Sequence, residues 1–264
     1  MLGSLKGAWH YRHFIWASIR NEMVSRFIRS RLGGAWMVIH PLSLVLTYAL
    51  ILSAVLSAKL PGIDNQYAYA IYLTGGMLGW TLFMEVINRC LGMFIENGNL
   101  MKKMVFPKVA LPIIAVGGSL INNVILFLVI LIVFACLGHF GGAELIWVPV
   151  LTLLTLAFAA GVGLVLGVLN VFIRDIGQVM PIVLQFLFWF TPVVYPISIV
   201  PESLRKWMDL NPLYHLISGY HDVLVYGKQP ELGGLAIVAL LSAIFLFLGF
   251  VIFRKASPEM VDAL

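Results

Sequence analysis

Glu85 and Arg89 are the residues whose types and spacing best suit chemistry within an otherwise apolar stretch of the sequence. A spacing of four places both side chains on one face of a helix, where they can form an ion pair beside Asn88. Ionisable groups within an apolar membrane segment are candidates for contact with a substrate. An arginine can also extend its charged end toward the membrane surface. Both a structural ion pair and a substrate contact therefore stay open.

The sequence contains no recognisable catalytic or metal-binding motif. It has no GxxxxGK[ST] segment, so the chain cannot hold the phosphates of ATP by itself. It has no HExxH pattern and no local Ser/His/Asp set, and its histidines are scattered, at positions 10, 13, 40, 139, 215 and 221. We therefore predict no catalytic residue, no metal site and no cofactor bound by this chain.

The composition indicates that lipid is the solvent of this protein. Of 264 residues, 61% are hydrophobic and only 11% are charged, and the mean hydropathy is +0.98. Soluble domains carry about 25% charged residues. The net charge of +5 is better explained by basic residues at the cytoplasmic ends of membrane helices than by nucleic-acid binding. We predict membrane lipids, and no nucleic acid, as partners.

Windows free of charge predict an all-α integral membrane protein with six transmembrane helices. The expected helices are near 36–58, 68–94, 113–137, 146–171, 178–196 and 233–253. The chain would be a single domain over 1–264, with a cytoplasmic interfacial helix in 1–35, a six-span bundle over 36–253 and a cytoplasmic tail over 254–264. The first 35 residues are too long and too basic for a cleaved signal peptide. With both termini inside, twelve Lys and Arg residues lie on the cytoplasmic side and four lie outside, which favours this orientation.

Residues 8–31 are predicted to form a helix before the first span. Ile15, Ile19, Met23 and Phe27 recur at intervals of four and form an apolar stripe. Such a helix could lie in the membrane surface with its arginines on lipid phosphates. It could equally serve only as a topological anchor.

The segment between the second and third spans, 96–112, is basic and contains a short apolar helix face beside Lys102 and Lys103. The members of that face are Leu100, Met101, Met104, Val105 and Phe106. Pro107 and Pro112 are expected to end the helix before the third span. An apolar face on a cytoplasmic loop suggests a docking partner, although the helix could instead lie on the membrane.

The connection after the fifth span, Thr191–Tyr226, is rich in proline and aromatic residues, and its apolar pieces are too short to cross a bilayer. It predicts short re-entrant helices between spans 5 and 6, forming either an outer gate or an inert cap. Four aromatic residues sit deeper in the spans, where their rings could stack on sugars or simply pack in the core. They are Tyr48, Trp80, Phe83 and Phe190.

Five segments in order resemble the type-2 ABC exporter permeases for polysaccharides, in the O-antigen and capsule export group (Wzm/KpsM type), with the teichoic-acid exporters as relatives. The segments are Asn99-Leu-Met-Lys-Lys-Met-Val-Phe-Pro-Lys108 with Leu111-Pro112, Arg31-Leu-Gly-Gly-Ala-Trp36 with Pro41, Phe172-Ile-Arg-Asp175, Thr191-Pro-Val-Val-Tyr-Pro196 and Asn211-Pro212. The resemblance implies a transport subunit rather than an enzyme. The chain would form a homodimer in the bacterial inner (cytoplasmic) membrane with two copies of a nucleotide-binding ATPase, which would hold ATP and Mg. The implied substrate is an undecaprenyl-linked polysaccharide, O-antigen first.

The resemblance also assigns roles to residues of this sequence. The ATPase-coupling loop would comprise Asn99, Leu100, Lys102, Lys103, Phe106 and Pro107. The lipid pyrophosphate would enter beside Arg26, Arg29 and Arg31, because planar guanidinium groups suit phosphate. Tyr48, Trp80, Phe83 and Phe190 would line the channel. The outer gate would comprise Pro192, Tyr195, Pro196, Trp207, Asn211 and Pro212.

Other function classes fit the sequence less well. A related permease for capsule, teichoic acid, drugs or lipids stays open as an alternative. A membrane-embedded transferase would need acidic or histidine clusters at the membrane face. An ion-coupled transporter would need several charges at mid-membrane and inverted repeats.

Overall fold

The computed structural model describes residues 11–25, 32–47, 68–103, 108–139 and 142–263. All regular secondary structure in these ranges is helical, which confirms the all-α class there. The helices are α1 Arg12–Ser25, α2 Trp36–Thr47, α3 Ala68–Glu96, α4 Gly98–Lys103, α5 Ala110–Cys136, α6 Trp147–Phe172, α7 Asp175–Phe190, α8 Glu202–Met208, α9 Pro212–Leu224, α10 Leu232–Ala256 and α11 Met260–Ala263. Short 3-10 turns, Gly33–Ala35, Ala143–Ile146 and Ile197–Ile199, precede α2, α6 and α8.

Four of the described helical segments are long and apolar enough to cross a membrane. They are Ala68–Glu96, Ala110–Cys136, Ala143–Phe172 and Leu232–Ala256, and they match four of the predicted spans. Gly33–Thr47 and Asp175–Phe190 are apolar but shorter, and residues 48–58 of the first predicted span lie outside the described residues. The chain is therefore a multi-pass membrane protein, while the count of six spans stays a prediction.

The fifth predicted span, 178–196, ends early, at Phe190. Thr191 has an extended backbone, with φ −107° and ψ 129°, and Pro192 follows it. A residue before proline is driven out of the helical region by contact with the proline ring. The Thr-Pro pair therefore ends α7 and begins the connection to α10.

Helix α3 lies at the centre of the bundle, in contact with α5, α6 and α9, and α6 packs in turn against α10. Small residues allow this close approach. A Cβ atom added at Gly167 would lie 2.2 Å from the carbonyl oxygen of Cys90, and one added at Gly161 would lie 2.7 Å from the amide nitrogen of Leu246. Gly163 and Gly167 both lie against Cys90 of α3, so these glycines of α6 mark close helix packing within one chain.

Helix α1, Arg12–Ser25, lies within the predicted 8–31 helix, and residues 8–10 and 26–31 lie outside the described residues. The predicted apolar stripe is buried in the described part. Ile15, Ile19 and Met23 are buried, and the first two pack with Ala110 of α5. A Cβ atom at Gly117 of α5 would lie only 2.7 Å from Ile19 Cδ1. The stripe therefore covers protein, not only lipid, while Phe27, Arg26, Arg29 and Arg31 lie outside the described residues.

Candidate transport and coupling sites

Helix α4 follows α3 after a single residue and presents a polar surface. Asn99 and Lys102 are exposed, Leu100 is half-buried, and Met101 is buried in the main core. Asn97, between the two helices, donates from Nδ2 to the carbonyl oxygen of Met93 at 2.8 Å. The side chain of Lys103, together with Phe106 and Pro107, lies outside the described residues. The assignment of α4 to ATPase coupling stays a prediction.

Glu85 and Arg89 form the ion pair that their spacing predicts. Arg89 Nε lies 2.9 Å from Glu85 Oε1, and Arg89 Nη1 lies 2.6 Å from Oε1 of Glu22 on α1. Asn122 of α5 donates from Nδ2 to the same Glu85 oxygen at 2.6 Å. A Cβ atom at Gly118 would lie 2.7 Å from Arg89 Nη1, so this glycine gives the guanidinium its space. These contacts join α1, α3 and α5, and they favour the interpretation that the Glu85–Arg89 ion pair stabilises the structure.

The connection between α7 and α10, residues 191–231, contains α8 and the deeply buried α9. Asn211 begins α9: its Oδ1 accepts from the Leu213 amide at 3.1 Å, and Pro212 occupies the first turn. Asparagine at the N-cap followed by proline at the first position is a strong helix start. Asn211 Nδ2 also donates to Thr191 Oγ1 at 2.8 Å, which ties the start of α9 to the end of α7.

Two tyrosines of α3 hold the Thr191–Pro196 turn by its main-chain carbonyls. Tyr72 donates from its hydroxyl to the carbonyl oxygen of Tyr195 at 3.1 Å, and Tyr69 donates to that of Val194. The Tyr72 ring also stacks on His221 of α9, with centroids 3.8 Å apart and planes inclined by 17°. A single face of α3 therefore binds both the turn and α9.

Glycines on that face let α9 approach the α3 backbone. A Cβ atom at Gly76 would lie 2.5 Å from His221 Nε2 and 2.6 Å from the carbonyl oxygen of Val193. One at Gly79 would lie 2.5 Å from the ring of Tyr220, whose side chain is fully buried. The Tyr220 hydroxyl shares a hydrogen bond with Thr152 of α6 at 3.2 Å. The connection is thus built into the core of the protein.

Most of the predicted gate residues lie in this arrangement. Pro192 is buried, Tyr195 and Pro196 are half-buried, and Asn211 and Pro212 begin α9. Tyr195 also donates from its hydroxyl to the carbonyl oxygen of Trp189 at 2.6 Å. Trp207, by contrast, is exposed on α8. The gating role of these residues stays a prediction.

The predicted channel aromatics have different surroundings within one chain. Trp80 and Phe83 are buried. The ring centroids of Trp80 and Phe188 lie 5.3 Å apart, and Phe83 stacks with Phe158 with centroids 5.9 Å apart. Phe190 is 44% exposed, and Tyr48 lies outside the described residues.

Helix α7 exposes most of its surface, which includes Gln178, Gln185, Phe186 and Trp189.

Sequence reasoning missed the partners that α3 makes with the connection. It gave no contact partner for Tyr69 or Tyr72 and no role to Gly76, Glu22 or His221. The available signal was the segment Thr74-Gly-Gly-Met-Leu-Gly79, since glycines in a helix interior often mark a close backbone approach. The local sequence does not identify which segment of the chain packs against these glycines.

Changing Tyr72 to Phe removes the hydroxyl but keeps the ring on His221. We expect a loss of about 1 kcal/mol, because the buried carbonyl of Tyr195 loses a donor, and a fall in melting temperature of about 2–4 °C. A thermal melt of the purified protein in detergent measures this. Tyr214→Phe, on α9 beside His215, is the matched control. Equal melting temperatures for Tyr72→Phe and the native chain would contradict the assignment.

The sequence is similar to those of known transport proteins over most of its length. The sequence profile described as ABC-2 type transporter matches residues 13–225. The chain is 25% identical over 266 residues to the O-antigen export system permease protein RfbA of Myxococcus xanthus, covering 100% of both chains. It is 25% identical to the RfbA of Klebsiella pneumoniae, over 92% of each chain. It is 24% identical to the polysialic acid transport protein KpsM of Escherichia coli, over 92% of this chain and 93% of that protein. Because the profile covers most of its length, this chain belongs to the ABC-2 type transporter family.

Proposed function

We propose that this chain is the membrane permease subunit of an ATP-driven exporter that moves a lipid-linked polysaccharide across the bacterial inner membrane. The observation that carries the proposal is similarity over nearly the whole chain to permeases named for O-antigen export. O-antigen is therefore the first candidate substrate. Similarity to a polysialic acid transport protein makes a capsule glycan the second.

The energy for transport would come from a separate ATPase. The sequence has no phosphate-binding loop of its own, and transporters of this class divide the work between permease and ATPase. Two copies of the permease and two of the ATPase would form the complete exporter. The exposed Asn99 and Lys102 of α4, with the Phe106–Pro107 segment after it, would meet the ATPase.

Basic residues support a cytoplasmic location for α4 and both termini. Lys102 lies on α4, Lys108 follows it, and Arg254 and Lys255 end α10 at the same end of the bundle. Excess Lys and Arg at one end of a set of spans marks the cytoplasmic side. The connection between α7 and α10 would then face the opposite side, as a gate requires.

Helix α3 would transmit movement between the two sides. It leads directly into α4 at one end, and near its other end Tyr69 and Tyr72 hold the Thr191–Pro196 turn. A packed helix moves as a rigid body, so a displacement of α4 would reach this turn. The turn lies between α7 and α8, so the displacement would change the outer mouth.

The exposed surface of α7 would form part of the polymer path in the dimer. Gln178 and Gln185 are seven residues apart, on one face, and Phe186 and Trp189 lie near them. Amide groups facing lipid would be costly, whereas amides and aromatic faces together suit sugar hydroxyls and sugar rings. Many weak contacts of this kind would let a long glycan slide.

Changing Lys102, Lys103 and Phe106 together to alanine tests the proposal. In cells that lack the native permease, we expect the triple variant to lose at least about 90% of surface polysaccharide, because α4 would no longer engage the ATPase. A fall of about ten-fold lies within the range of typical coupling between two sites. Immunoblotting of surface glycan measures this. Lys206→Ala/Phe247→Ala, which truncates an exposed lysine and an exposed phenylalanine elsewhere, is the matched control. Full export by a triple variant that accumulates normally would refute the coupling role of α4.

A further inference from the structure

The C-terminal tail turns back onto the bundle after α10. Helix α10 ends at Ala256, and the amide of Ser257 donates to the carbonyl oxygen of Phe253 at 2.8 Å. Ser257, Pro258 and Glu259 form a turn. The short helix α11, Met260–Ala263, follows and contacts α4 and α6. The tail therefore packs against α4, the segment to which the proposed function assigns ATPase engagement.

Met260 anchors the tail. Its side chain is fully buried and belongs to the same apolar core as Met101 of α4 and Phe253 of α10. Phe253 stacks on Phe94, near the end of α3, with centroids 5.6 Å apart and planes inclined by 17°. A helix of one turn is not stable alone, so these tertiary contacts must hold α11 in place.

A second contact ties the tail to the other side of α4. Lys108, in the turn that leads from α4 into α5, donates from Nζ to the carbonyl oxygen of Ser257. The coupling region is thus joined to the end of α10 twice, by the packing of Met260 and by the Lys108–Ser257 hydrogen bond. Along the chain, α4 is connected only to α3 and α5, and these two non-covalent contacts link its region to α10 as well.

We propose that the tail, residues 257–263, is a strap that makes α4 and the adjacent end of α10 move together. This inference rests on the proposed function, because the movement is supplied by a partner ATPase. Close-packed interiors transmit displacement instead of absorbing it. The strap transmits the movement of α4 to α10 as well as to α3. Lys108, Ser257 and Met260 act as positioning residues for α4.

Met260→Ser, with Met260→Leu as the conservative control, tests the strap in the permease–ATPase complex reconstituted in lipid. The readouts are ATP hydrolysis, retention of the ATPase subunit and glycan translocated per ATP hydrolysed. We expect Met260→Ser to keep the ATPase and its hydrolysis but to lower glycan per ATP by at least about five-fold, the lower bound of typical coupling between sites. Met260→Leu should retain the native ratio, because it restores an apolar side chain of similar volume.

An unchanged ratio in a Met260→Ser complex that retains its ATPase would overturn the strap. So would loss of the ATPase from that variant alone, because the tail would then serve binding instead of transmission. If the native chain itself retains no ATPase, the proposed permease function is refuted. This outcome differs from refutation of the strap, in which the native chain retains its ATPase.

A covalent link tests the same inference without relying on the stability of Met260→Ser. Lys108→Cys and Ser257→Cys, combined with Cys136→Ser because Cys136 is exposed, can be joined by a short bis-maleimide. We expect cross-linking to raise glycan per ATP above that of the unlinked double variant, because the two positions move as one unit. Arrest of transport by the link would overturn the inference, since it would show that the positions must separate.

Discussion

Replacing Gly76 with valine is expected to abolish export and to destabilise the folded protein. The first added carbon would lie 2.5 Å from His221 Nε2 and 2.6 Å from the Val193 carbonyl oxygen. The second contact is with backbone, which cannot rotate away as a side chain can. Overpacking of a core costs about 1–3 kcal/mol, and more where backbone must shift. The change would push α9 and the Thr191–Pro196 turn off α3.

Two other glycines provide a graded control for Gly76→Val. A Cβ atom at Gly75 would meet a flexible side-chain atom, Val225 Cγ2, at 3.2 Å, and one at Gly233 would have its nearest neighbour at 3.9 Å. The melting temperature in detergent and the amount of surface glycan should fall most for Gly76, less for Gly75 and least for Gly233. Equal effects at the three positions would show that α3 does not hold the connection as described.

Replacing Arg89 with methionine is expected to loosen the joint between α1, α3 and α5. The change keeps an unbranched apolar stem but removes the guanidinium that contacts Glu22 and Glu85. Removing one partner of a buried pair costs about 3–5 kcal/mol. The two carboxylates here are 33% and 29% exposed, so solvent screening reduces the expected cost to about 1–3 kcal/mol. Thermal melts and protease sensitivity of the α1 segment measure the effect.

Partial rescue distinguishes an ion pair from simple packing at Arg89. Adding Glu22→Gln and Glu85→Gln to Arg89→Met removes the two carboxylate charges that faced the guanidinium, and we expect this triple variant to recover part of the lost stability. Arg20→Met, at an exposed position on α1, should have little effect. A triple variant less stable than Arg89→Met alone would mean that charge compensation is not what the arginine supplies.

Helix type and approximate bounds could be predicted because charge-free windows of about 20 residues leave few alternatives in a membrane protein. The long helices α3, α5, α6 and α10 are confirmed on that basis. The end of α7 was misplaced by six residues, since hydropathy continues through Val193 and Val194 while the Thr191-Pro192 pair has already ended the helix. A local backbone restriction outweighed the apolar pattern there.

Contacts between distant segments could not be read from the sequence. Periodicity correctly predicted that Ile15, Ile19 and Met23 share a face, but it could not say that the first two meet α5. It predicted the Glu85–Arg89 pair but not Glu22, which is 67 residues away from Arg89. Helices that are apolar on all sides give no signal of which face is buried, so the burial of Trp80 and Phe83 needed the structure.

Co-purification of a nucleotide-binding ATPase with the tagged chain, expressed with its neighbouring genes, tests the central claim most directly. The proposed function predicts an ATPase subunit in a one-to-one ratio with the permease, in a particle of two copies each, and release of that subunit by the Lys102/Lys103/Phe106→Ala variant. A chain that purifies without an ATPase and still restores polysaccharide export in cells would contradict the proposal that this protein is the permease half of an ATP-driven exporter.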